Sequence, residues 1–128
     1  MPNILIIDDD RLAREATKTL LAKEGYTVVL AEDGKSGIKA AQSGKFDAAI
    51  VDVFMPDMNG LEVIEVLHQS NPCMPMIAAS GFMFGDSCPQ MPNFDVMAAE
   101  AGAVSTLYKP FRPETLLQAV EKAIGASS

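Results

Sequence analysis

Five short apolar runs, each followed by an amphipathic stretch, constrain this chain more than any other feature. The runs are Ile4–Ile7, Val28–Ala31, Ala48–Val51, Met76–Ala79 and Val104–Tyr108. Apolar runs of this length suit strands buried on both faces, as in a parallel sheet. The intervening stretches carry helical spacing. Leu12, Ala13, Ala16 and Leu20 share a face in the first, Ile38 and Ala41 mark the second, and Leu61, Ile64 and Leu67 mark the third. A weaker fourth helix is predicted around Asp95–Ala101. The last, carrying Leu116, Leu117, Val120, Ala123 and Ile124, opens near Pro113 and is predicted to stop at Gly125. Strand–helix alternation of this kind predicts right-handed crossovers and an open α/β sheet covered on both faces.

At 128 residues the chain is one domain by length. A formal charge of −7 argues against direct nucleic-acid binding and against docking on an anionic membrane. No apolar stretch is long enough to span a bilayer, and the first apolar run ends in Asp8-Asp9-Asp10 rather than in a cleavage site. Cys73, Cys88 and the lone His68 have no metal-ligand spacing. Both cysteines read as free thiols in a reducing, cytoplasmic setting. Residues 81–94, with Gly85, Pro89 and Pro92 among Met and Phe, fit neither helix nor strand and are expected to form an extended loop after the fourth strand.

The polar residues at the strand ends carry the chemistry. The first run ends in Asp8-Asp9, the third in Asp52, the fourth in Ser80 and the fifth in Lys109. All lie at carboxyl ends of predicted parallel strands, the edge where open α/β sheets build ligand sites. Three ionised carboxylates repel one another strongly at close range. A hard divalent cation such as Mg²⁺ (or Mn²⁺) relieves this, and takes carboxylate, water and phosphate oxygens as ligands. Asp52, alone at the end of a central strand, is the candidate nucleophile for an aspartyl-phosphate. Asp9 is expected to ligate the cation directly, and Asp8 directly or through water. The Phe54 backbone carbonyl is a further candidate oxygen. Lys109 would supply a point charge and Ser80 a hydrogen bond to the phosphoryl oxygens, with Gly81 leaving room. Asp10 reads as a cap of the first helix. Arg11 and Arg14 read as solvated helix-face charges.

Across nearly its whole length the chain resembles the receiver domains of two-component response regulators. The resemblance rests on Ile6-Ile7-Asp8-Asp9-Asp10, Asp52-Val53-Phe54-Met55-Pro56-Asp57-Met58-Asn59-Gly60, Ala79-Ser80-Gly81, Gly102-Ala103 and Lys109-Pro110-Phe111. It implies a flavodoxin-like (βα)5 sheet of strand order 2-1-3-4-5 formed by residues 1–128. It also implies Mg²⁺-dependent transfer of a phosphoryl group to Asp52 from a histidine kinase or histidine phosphotransfer protein, and a cis peptide before Pro110. Arg11 and Arg14 then lie where such domains often meet kinases. With the chain ending at Ser128, output is expected through contact with a downstream protein or by onward phosphotransfer, from a monomer or weak dimer.

Two departures stand out. The family's aromatic residue three positions before the lysine is here Thr106, while Tyr108 shares its facing parity. Thr106 and Tyr108 are therefore the candidates for a rebuilt switch. Ser80 and Lys109 are also further apart than usual, the extra residues falling in the 81–94 loop. The competing readings are a binding module that is never phosphorylated and a metal-dependent phosphatase. The five polar site residues argue against the first. Against the second stands Phe54, where such enzymes place a general acid two residues beyond the nucleophile. An FMN protein fits the fold, but three converging carboxylates would repel its phosphate.

Overall fold

The computed structural model describes residues 2–53, 60–80, 94–108 and 112–127. Ten elements alternate along it: β1 (Asn3–Ile7), α1 (Arg11–Lys23), β2 (Thr27–Ala31), α2 (Gly34–Ser43), β3 (Ala48–Asp52), α3 (Gly60–Ser70), β4 (Met76–Ser80), α4 (Phe94–Ala101), β5 (Ser105–Tyr108) and α5 (Pro113–Ser127). Every strand pairs in parallel, in the order β2-β1-β3-β4-β5. The chain thus leaves β1 in one direction for β2, then crosses back to β3 and continues the other way. Crossovers of one hand travelling in opposite directions put their helices on opposite faces.

The core follows that rule. Ile4, Ile6, Ala48, Ile50, Ile77 and Leu107 face a cluster completed by Leu21 of α1 and Leu116, Val120 and Ala123 of α5. Their neighbours Leu5, Ile7, Ala49 and Val51 face the other way, against Ala41 of α2, Val63, Ile64 and Leu67 of α3, and Ala98 of α4. Alternating strand residues pointing to opposite faces explain why each central run is apolar throughout. β3 is buried at all five positions, whereas edge strand β2 is exposed at Thr27 and Val29.

Four sequence expectations change. Leu12 is not on the buried face of α1 but 81% exposed, and Ala16 is exposed too. The inward face instead runs through Ala13, Thr17, Leu20 and Leu21, with the Thr17 hydroxyl donating to the Ala13 carbonyl so that it can be buried. The last helix continues through Gly125 to Ser127. A glycine stops a helix only where a left-handed backbone follows, and Gly125 has no positive φ. Phe94, expected in the loop, begins α4. That helix does end on a left-handed glycine, Gly102 (φ 126°), whose N–H returns to the Ala98 carbonyl. Val104, expected in the last strand, precedes β5 and is exposed. Residues 81–93, with Cys88, lie outside the described residues.

Candidate phosphoacceptor and cation site

The carboxyl ends of β1 and β3 flank the point where strand order reverses, which is where an open α/β sheet leaves a crevice. Asp8 follows β1 directly. Its N–H donates to the Ala31 carbonyl at 3.1 Å, extending the β1–β2 ladder by one bond. Its Oδ1 accepts from the Asp10 N–H at 2.9 Å, folding the chain into the turn that opens α1. Asp10 then caps that helix, accepting from the Leu12 N–H at 3.1 Å, as expected of an acid preceding a first turn.

Asp52 is the last residue of β3, opposite Ala79 of β4. Directly after it the Val53 N–H donates to the Ala79 carbonyl at 2.9 Å, and the Gly60 N–H returns to the Val53 carbonyl at 3.0 Å. The start of α3 therefore sits against the main chain of Asp52. A Cβ on Gly60 would collide with the Asp52 carbonyl oxygen and the Val53 Cα, so only glycine permits this approach. Gly60 is thus a supporting element of the site. Its lack of a side chain was visible in the sequence, but the close approach that demands it was not.

The structure brings Asp8, Asp9 and Asp52 together. One carboxylate oxygen from each lies within 4.8 Å of the others. Asp8 and Asp52 are buried, 5% and 4% exposed, while Asp9 is exposed. At that separation each pair of ionised carboxylates repels by about 3 kcal/mol at an effective dielectric near 20. Oxygen-only donors, two buried and one open to solvent, fit a hard divalent cation that retains waters and leaves room for another oxygen ligand. Among the described residues no other group of three or more acidic, histidine or cysteine side chains is so placed.

Of the remaining expected site residues, Ser80, Thr106 and Tyr108 belong to β4 and β5. Ser80 ends β4 one residue beyond the partner of Asp52, and its backbone is in register with Tyr108 of β5. Thr106 pairs with Ala78 and is half-buried. Phe54, Gly81, Lys109 and Pro110 lie outside the described residues, as do the side chains of Ser80 and Tyr108. Arg14, read from the sequence as a solvated charge, is half-buried, and its Nη1 donates to the Asp8 carbonyl at 2.9 Å.

Comparison with known proteins meets the same arrangement. Residues 4–121 match the response regulator receiver domain family. The chain is 37% identical over 114 residues to response regulator MprA of Mycolicibacterium vanbaalenii and 38% identical to that of Mycobacterium ulcerans. Those matches cover 89% of this chain and 46% of each relative, so the chain spans about half of their length. Among solved structures, a CheY-like receiver domain protein from Methanospirillum hungatei superposes with a TM-score of 0.89 at 31% identity, covering 99% of this chain and 96% of that one. Vibrio cholerae chemotaxis protein CheY4 does so at 0.84 and 32%, covering 96% and 98%. The 2-1-3-4-5 sheet, the acids at its switch point and the match over residues 4–121 agree, and the chain belongs to the receiver domains of two-component response regulators.

Proposed function

We propose that this domain accepts a phosphoryl group on Asp52 with a divalent cation, Mg²⁺ or Mn²⁺, held by Asp8, Asp9 and Asp52. The convergence of these three carboxylates within 4.8 Å carries the reading. A carboxylate oxygen of Asp52 attacks the phosphorus of a phosphohistidine on a histidine kinase or phosphotransfer protein. The new O–P bond forms as the P–N bond breaks, and the imidazole nitrogen keeps the electron pair. The cation, when bound, neutralises charge on the phosphoryl oxygens.

Asp8 and Asp9 act as ligands, with the Phe54 carbonyl as a further oxygen. Lys109, which follows Tyr108 at the end of β5, supplies a positive charge to the phosphoryl group. Ser80, at the end of β4, supplies a hydroxyl donor, and Gly81 beside it leaves the space. Thr106 and Tyr108 report occupancy to the β4–β5 side. Return of the domain to its resting state is hydrolysis of the same acyl phosphate. Signalling then passes in the cytoplasm through contact with a downstream protein or by onward transfer, without direct nucleic-acid or membrane binding, from a monomer or weak dimer. Residues 1–128 act as one receiver domain.

Intact-protein mass after incubation with acetyl phosphate tests this. One phosphoryl adduct is expected with Mg²⁺, none with EDTA, and none in Asp52→Asn. An adduct that persists in Asp52→Asn would place the acceptor elsewhere. No adduct in the wild type, even with a phosphorylated donor protein, would leave a receiver fold used as a binding module.

A further inference from the structure

Asp9 is the exposed member of the acidic trio, so its direction is set by the backbone that carries it. Both flanking carbonyls of that backbone are held by one residue. The Arg14 side chain donates from Nη1 to the Asp8 carbonyl at 2.9 Å, across six positions of chain. The Arg14 main-chain N–H donates to the Asp10 carbonyl at 2.9 Å. The Asp8 carbonyl belongs to the peptide between Asp8 and Asp9. Its orientation fixes ψ of the first acid and φ of the second, and so where both carboxylates point. The Asp8 N–H is tied to Ala31 and its Oδ1 to the Asp10 N–H, and the Arg14 bond adds a hold on the peptide between the two acids.

We infer that Arg14 is a positioning residue for the cation site, holding the Asp8–Asp9 peptide so that both carboxylates converge on Asp52. The inference rests on the cation reading proposed above. It has a competing physical effect of opposite sign. A guanidinium beside the Asp8 carbonyl repels a divalent cation, so if charge alone mattered, removing it would tighten binding. If positioning dominates, removing it loosens binding, as loss of an outer hydrogen-bond partner does at metal sites.

Mn²⁺ titration of the full chain, read from the electron paramagnetic resonance signal of free Mn²⁺, separates these outcomes. Arg14→Met keeps the aliphatic stem and loses the guanidinium, and Arg14→Lys keeps a charge and a donor. Arg11→Ala removes the same charge from the same turn, with the Asp8 carbonyl bond left in place. Arg14→Met is expected to weaken Mn²⁺ binding by about tenfold. Arg14→Lys should recover most of that loss, and Arg11→Ala should bind as the wild type does. The Arg14→Met domain should also need more Mg²⁺ for half-maximal labelling by acetyl phosphate, yet reach the wild-type rate at saturation. A general loss of folding would not produce that split, and metal-free urea melts of each variant confirm that folded protein is compared. Unchanged or tighter binding in Arg14→Met would overturn the inference, as would an equal loss in Arg11→Ala, while leaving the cation site standing. A wild-type domain that takes up no Mn²⁺ would remove the site itself, and the role of Arg14 with it.

Discussion

The two ends of β3 carry acids that live under opposite conditions. Asp47, just before the strand, has a partner at each turn. Its Oδ2 accepts from the Asn3 N–H at 2.7 Å, its own N–H donates to the Asn3 carbonyl at 2.7 Å, and Asn3 Nδ2 reaches the Lys45 carbonyl at 2.9 Å. That carboxylate ties the start of β1 to the start of β3. Asp52, five residues on, is buried and crowded by Asp8 and Asp9. One acid is a joint, and the other belongs to a cluster that a cation would complete. Residue type does not separate them; the neighbours supplied by the topology do. At the carboxyl end the chain turns from β1 and β3 into helices on opposite faces, and the crevice between those turns gathers like charges.

The comparison can be broken most forcefully through backbone fit. Gly60→Ala puts a methyl group into the Asp52 carbonyl and the Val53 Cα, atoms of main chain that cannot swing aside. It is expected to cost about 1–3 kcal/mol of stability. It should also weaken Mn²⁺ binding, because relief comes by moving the main chain of Asp52. Gly44→Ala, at the amino end, meets only ordinary contacts of 3.7 Å to the Phe46 ring and 3.8 Å to the Ala40 carbonyl. It should change stability by no more than about 0.5 kcal/mol. Urea denaturation of both variants checks this, and equal costs would mean that the carboxyl end is no more tightly specified than the other.

Charge deletion gives a smaller effect with opposite signs at the two ends. Asp9→Ala removes one of three crowded charges from an exposed position. In metal-free buffer it should stabilise the domain by about 0.5–1 kcal/mol, allowing for solvent screening. The same change should lower Mn²⁺ affinity by about tenfold or more. Asp47→Ala leaves the Asn3 N–H without its acceptor and should destabilise by about 0.5–1.5 kcal/mol. Its Mn²⁺ affinity should remain that of the wild type. Paired urea melts with and without Mn²⁺ read both. Destabilisation by Asp9→Ala without metal would show that the trio is not under repulsive load.

How much of this was legible in the sequence follows the same division. Strand ends were legible because five apolar runs stop at polar residues, and those stops place Asp8, Asp9 and Asp52 on one edge. The strand order came from the resemblance, since apolar runs do not say which neighbours pair. Leu12 was misplaced because a helix's first turn satisfies several alternative faces, and only docking on β1 and β2 selects the one through Thr17 and Leu21. Gly125 was misread because glycine tolerates a left-handed end without enforcing one. Arg14 was missed because a charge that bends back to a main-chain carbonyl six residues away has the same spacing as one that faces solvent. Gly60 hid its role for a related reason: close approach of two backbones leaves no mark on either segment alone.

The smallest expected effect concerns Asp33, at the turn from β2 into α2, on the same edge as the trio. It sharpens the comparison by showing that the carboxyl edge is not itself what crowds an acid. Asp33 Oδ1 accepts from the Ser36 N–H at 2.8 Å and from its hydroxyl at 2.7 Å, closing a capping box. The Ser36 backbone bond first, then the side-chain bond, hold its pKa below the ordinary 3.8, outweighing desolvation and joined by the nearby Lys35 charge. A folded-state pKa below the unfolded one means that the bound carboxylate contributes stability fully above 3.8, and loses it as pH falls through the lower folded value. Asp33→Asn keeps a capping oxygen that does not titrate. Thermal melts from about pH 5 to about pH 2.5 should therefore show the wild type losing ground against Asp33→Asn only below the ordinary carboxylate value, with a constant difference above it. A difference that does not move with pH would mean that Ser36 binds the neutral acid as well as the anion. Asp33 would then differ from the trio in not being crowded by like charges, but not through any preference of Ser36 for its charged form.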